Sequence, residues 1–144
     1  KGSNNRNKQR IKVAKLHEKV TNQRKDFLHK QSRQITNAYD CVCIKDLNMK
    51  AMSQALNFGK SVADNGWGMF TSFLSYKLRE QGKSLVKIDK WYPSSKTCSC
   101  CGTVKVTLSL SDRTYYCEVC GAVLNQDYNA SINIRNEGMR LVSA

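Results

Sequence analysis

The sequence predicts an α/β fold carrying a four-cysteine insert, and three observations lead there. Helical and strand patterns follow one another as helix, strand, helix, strand, insert, helix, an order that implies parallel or mixed strands under helical cover. Two Cys-x2-Cys pairs, Cys98/Cys101 and Cys117/Cys120, interrupt that order with fifteen residues between them. The length, 144 residues, suits one ordinary domain with an insert.

Residues 1–10 are rich in Asn and Lys and read as a mobile lead-in. A helix follows over 11–37, with Val13, Leu16, Val20, Phe27, Ile35 and Ala38 recurring at near-helical spacing as its inner stripe. Residues 39–44 turn to β-branched and small types, which predicts a strand inside a sheet, with Cys41 and Cys43 as packing residues. Residues 49–63 have no clear period and read as a loop or short helix. A second helix is expected over 65–81, turning Trp67, Phe70, Leu74 and Leu78 inward and stopping at Gly82. A second strand covers 85–89, and a last helix covers 127–136 with Gly138 as its stop. The expected division is thus 1–93, a cysteine module at 94–124, and 125–144. Two strands are too few for a complete sheet.

Lys and Arg number 24 against 11 Asp and Glu, a formal net charge of +13. Residues 1–40 hold eleven basic and three acidic side chains, so +8 of that excess lies there. Such a balance favours a polyanion, nucleic acid above all; a solubilising helix face is the plain alternative. No run of 18 apolar residues occurs and no apolar leader opens the chain, so the expectation is a soluble cytoplasmic protein with no membrane partner.

Two residues between thiolates let one tight turn aim both sulfurs at a single ion. Gly102 and Gly121 follow the two pairs and permit the positive φ such turns need. Cys98, Cys101, Cys117 and Cys120 are therefore expected to close a tetrahedral zinc site, structural because all four positions are filled by protein. The alternative, a pair of disulfides, belongs to an oxidising compartment. Cys100 lacks the turn spacing and points out of the site.

Lys45-Asp46-Leu47-Asn48 ends the first strand, Trp91-Tyr92-Pro93-Ser94-Ser95-Lys96-Thr97-Cys98 opens the cysteine module, and Gln126-Asp127-Tyr128-Asn129-Ala130-Ser131-Ile132-Asn133-Ile134 opens the last helix. Taken together in this order, these motifs resemble the C-terminal half of the TnpB family, transposon-encoded RNA-guided DNA nucleases related to compact type V CRISPR effectors. The resemblance implies a partial RNase H-like (RuvC) fold with a zinc-ribbon insert, and guide RNA and target DNA as partners. It implies hydrolysis with two Mg²⁺ ions held by three carboxylates from separate elements. Asp127 matches the third acid, although an Asp there also suits a helix N-cap. Lys45 stands where the family carries Glu, and an ammonium has no lone pair for a metal. Asp46 beside it faces the other side of the strand. The first-strand acid would precede this sequence, to be supplied by another chain or segment.

The departures from the family pattern, at Lys45 and at the first acid, lead to the expectation of a nucleic-acid binder that does not cut, guided by RNA to a DNA site and blocking transcription there. Its rival is a part of an active nuclease completed elsewhere, and an isolated zinc-ribbon binder is a third option. On the basic helix, Lys8, Arg10, Lys12, Lys15, Lys19, Arg24, Lys25, Lys30 and Arg33 are candidates to track phosphates, with Lys96 beside the first cysteine pair. Trp91 and Tyr92 are candidates to stack on bases, with core packing the first expectation for Trp91.

Overall fold

A computed structural model describes residues 2–47, 66–109 and 111–143. The expectation for 49–63 lies outside the described residues. The chain forms two compact units, and the fold is a mixed α/β one.

The first unit pairs two helices, α1 (Asn4–Ala38) and α2 (Trp67–Glu80). Helix α1 starts well before the expected residue 11, because Ser3 caps it and accepts a hydrogen bond from the Arg6 backbone N–H. Its packed face also differs from the expected stripe. Leu28, Ser32 and Thr36 are buried, whereas Val13, Leu16, Val20 and Phe27 are exposed. Two physical causes account for this. At about 1.5 Å per residue, α1 is roughly 52 Å long and α2 roughly 21 Å, so α2 covers only the C-terminal part of its partner. Ser32 and Thr36 tolerate burial because their hydroxyls donate back to the carbonyls of His29 (3.0 Å) and Arg33 (3.2 Å).

Helix α2 turns Leu74 and Leu78 fully inward, as its periodicity predicts, and ends two residues before Gly82. Burying each leucine contributes about 1.5–3 kcal/mol. Lys77, unexpected on that face, is 2% exposed and donates to the His29 carbonyl and the Ser32 hydroxyl, both at 2.7 Å. Burial, then the nearby Arg33 charge, lowers its pKa.

The second unit contains β1 (Cys41–Lys45) and β2 (Ser84–Ile88), which pair in parallel with Cys41 opposite Ser84 and Lys45 opposite Ile88. Parallel neighbours need a long crossover, and here the chain passes through α2 between them. All of β1 is half-buried rather than enclosed, since its sheet has two strands among the described residues. A short antiparallel hairpin, β3 (Thr114–Tyr116) and β4 (Val123–Asn125), leads directly into α3 (Gln126–Val142).

Helix α3 packs on β1 and β2 and runs through Gly138 instead of stopping there. That glycine marks a close approach. A Cβ at position 138 would collide with the Cys43 side chain. Among the described residues no helix is long and apolar enough to cross a membrane.

Candidate metal centre and nucleic-acid surface

Each cysteine pair sits on a turn of the same design. In the first, Cys98 N–H donates to the Thr103 carbonyl (2.8 Å) and Gly102 N–H to the Cys98 carbonyl (2.9 Å). In the second, Cys117 N–H donates to the Ala122 carbonyl and Gly121 N–H to the Cys117 carbonyl, both at 2.9 Å. Gly102 and Gly121 have φ of 78° and 72°, the left-handed conformation that aims the sulfurs inward.

The four Sγ atoms lie within 4.8 Å of one another, with Cys98 to Cys120 and Cys101 to Cys117 at 3.6 Å. A tetrahedral ion with Zn–S bonds near 2.3 Å would set its sulfurs about 3.8 Å apart, so the donor set fits such an ion. Among the described residues this is the one cluster of three or more His, Cys, Asp or Glu side chains placed to hold a metal.

The Thr103 side chain, then its backbone, holds the Cys101 thiol down at about 6, toward the thiolate a metal needs. Tyr115 forms the floor of this module, fully buried, and its hydroxyl donates to the Lys96 carbonyl (2.9 Å). Burial, followed by the four cysteine charges, pushes that phenol up to about 12.

Two asparagines of the last-helix motif, for which the motif by itself suggests no role, clamp the module to α3. Asn129 accepts from Ser99 N–H (2.9 Å) and donates to the Thr97 carbonyl (2.7 Å). Asn133, one turn on, donates to the carbonyls of Ser94 (2.8 Å) and Thr97 (2.7 Å). Both side chains are buried. Their spacing of four on one helix face was the available signal, since asparagine on an inward face must find partners.

Asp127 lies exposed in the first turn of α3. It is not the cap: Asn125 is, its side chain accepting from the N–H groups of Asp127 (3.0 Å) and Tyr128 (3.1 Å). Lys45 ends β1 with its ammonium donating to the Tyr92 carbonyl at 2.8 Å. Asp46 is exposed, its backbone N–H bonded to the Ile88 carbonyl. Lys45 thus presents a cation rather than a carboxylate, and Asp127 lies outside the one group of three or more metal-type side chains among the described residues.

Lys8, Lys12, Lys15 and Lys19 recur at intervals of four, three and four, and so line one exposed face of α1. Arg10 is exposed elsewhere on the helix, and Arg24 is half-buried and engaged. Lys96 donates its ammonium to the Val106 carbonyl (2.8 Å) within the cysteine module, which leaves further N–H donors of that group for a phosphate. Trp91, expected in the core, is 81% exposed.

Residues 67–134 match the family model described as Cas12f1-like, TNB domain, and residues 1–56 match the OrfB_IS605 model, described as "Probable transposase". The chain belongs to the TnpB family. Among relatives, this TnpB chain is 42% identical over 139 residues to a protein of Streptomyces pristinaespiralis provisionally named RNA-guided DNA endonuclease, covering 96% of the chain and 34% of that protein. It is 33% identical to TnpB-like protein L79 of Acanthamoeba polyphaga mimivirus, covering 89% of the chain and 25% of that protein. The chain thus spans about a third or less of these relatives' length.

A solved Cas12f1–sgRNA–target DNA complex shares the fold, with TM-score 0.65 and 24% identity over 90% of this chain and 39% of the Cas12f1 chain.

Proposed function

We propose that this chain is a nucleic-acid-binding part of an RNA-guided protein that recognises DNA without cutting it. In this reading residues 94–124 form a zinc ribbon inserted between RuvC-like segments 1–93 and 125–144, and zinc is a structural ion. Guide RNA and target DNA are the partners, and occupancy of the DNA blocks transcription. Support comes from the relatives' names, the Cas12f1 fold, the net charge of +13 and the basic face of α1.

The observation that carries the non-cutting reading is Lys45. Its ammonium fills the position expected of a metal-binding carboxylate and is anchored on the Tyr92 carbonyl. A cation there repels Mg²⁺ and offers it no lone pair. The 42% identical relative with an endonuclease name favours the rival reading, a part of an active nuclease completed by another chain or segment.

Labelled single- and double-stranded DNA, incubated with the protein in Mg²⁺ or Mn²⁺, with and without guide RNA, separates the two. Binding without cleavage is the expected outcome. EDTA-sensitive cleavage that disappears in Asp127→Ala would establish the nuclease instead.

A further inference from the structure

The loop between β2 and the cysteine module is firmly mounted yet displays a tryptophan. At its ends Ile88 and Ser94 are buried, and the Ser94 carbonyl is held by Asn133. Within it, the Asp89 carboxylate accepts the Trp91 N–H at 2.6 Å and the Asp89 carbonyl accepts the Tyr92 N–H at 3.2 Å. The Tyr92 carbonyl in turn receives the Lys45 ammonium and the Ser94 N–H, both at 2.8 Å. The backbone on either side of Trp91 is therefore tied down, while its ring stays 81% exposed. The Lys90 ammonium lies 5.3 Å from the ring centroid.

Single exposed apolar side chains are ordinary on a protein surface. A large rigid ring on a pinned loop, with a cation over one face and the other face open, in a chain of net charge +13, is a more specific combination. An indole offers a flat face to another π-system, and the lysine can reach the adjoining phosphate. Both features match one ligand chemistry, a nucleotide whose base is free to stack. A paired base inside a duplex has its faces already covered by its neighbours, so the ligand must be unpaired.

Resting on the nucleic-acid reading above, we propose that Trp91 is a stacking platform for one unpaired base, with Lys90 contacting its phosphate. Lys45 helps to mount the platform through the Tyr92 carbonyl. The residue that spoils a metal site thus contributes to a binding one.

The test uses fluorescence anisotropy with labelled oligo-dT, oligo-U and a blunt duplex of equal length. Trp91→Ala should weaken binding to single strands by roughly 5- to 150-fold, the usual worth of one base–aromatic stack. Trp91→Phe should retain most of the affinity, and duplex binding should stay unchanged in both variants. In Trp67→Phe, where Trp91 is the one remaining tryptophan, single strands should quench the emission and the duplex should not. The oligo-dT and oligo-U arms distinguish a DNA base from an RNA base. Equal single-strand affinity for Trp91→Ala and the parent would overturn the platform while leaving nucleic-acid binding intact. Absence of binding by the parent would overturn both.

Discussion

Four sulfurs within 4.8 Å of one another cannot all be thiolates unless a cation neutralises them. Cys98 and Cys117 are almost fully buried, so the charge they would carry is desolvated as well. A bound ion removes both costs, and its binding energy becomes folding energy for residues 94–124. Protein purified under reducing conditions should contain one zinc per chain by elemental analysis. Cys117→Ser should lose it, and circular dichroism should show the β3–β4 hairpin lost with it; full zinc occupancy in that variant would contradict the assignment. Lys96 shows how residue-scale roles depend on surroundings. A lysine beside a metal module reads as a phosphate contact, and here the same residue also ties the module together: its ammonium is bonded to the Val106 carbonyl, and its own carbonyl receives Tyr115 and the Lys105 N–H.

At the level of elements, α3 connects the sheet and the cysteine module. Its buried residues are Asn129, Asn133 and Gly138, none of them a typical apolar core residue. The asparagines bond three backbone groups of the module's first turn region, and the glycine lets the helix settle against Cys43 on β1. In an open helix Gly→Ala stabilises by about 0.5–1 kcal/mol. Here the added methyl meets Cys43, and overpacking of this kind costs about 1–3 kcal/mol. Gly138→Ala should therefore lower the thermal midpoint, and adding Cys43→Ala should recover part of the loss. An unchanged or raised midpoint in the single variant would mean that the helix and strand separate easily. The helix was legible in the sequence from its start near Asp127, but its length was not. A glycine at 138 reads as a stop when the helix is considered alone and as a contact only when β1 is placed beside it.

For the molecule as a whole, charge is the dominant property. The net of +13 is concentrated toward the N-terminal helix, whose exposed lysines form a continuous stripe. Binding to nucleic acid should weaken steeply with salt, with each phosphate neutralised adding about 0.7–0.9 to the slope of log K against log salt. Replacing Lys12, Lys15 and Lys19 together by Gln should reduce that slope by about 2–3 if the stripe lies along a backbone. The measurement is a salt titration of binding for parent and triple variant, and equal slopes would remove α1 from the interface. The buried residues of α1 all lie in its second half, so these substitutions should leave the thermal midpoint nearly unchanged.

What the sequence alone determined about this protein is what short spacing controls: the two cysteine turns, the order of helices and strands, the motifs of the TnpB family and the basic character of α1. Each turn, helical stripe and motif is itself set by residues only a few positions apart, and their order is read directly along the chain, so no knowledge of spatial neighbours is needed. Tertiary structure decided the rest. The face of α1 that packs is set by where α2 lies against it, and Ser32 and Thr36 qualify for burial only because their hydroxyls bond within the helix. The role of Lys45 is set by Tyr92, 47 residues away in the chain. Trp91 is exposed because Asp89, Lys45 and Asn133 fix the loop around it, against the ordinary tendency of a large apolar ring to be buried.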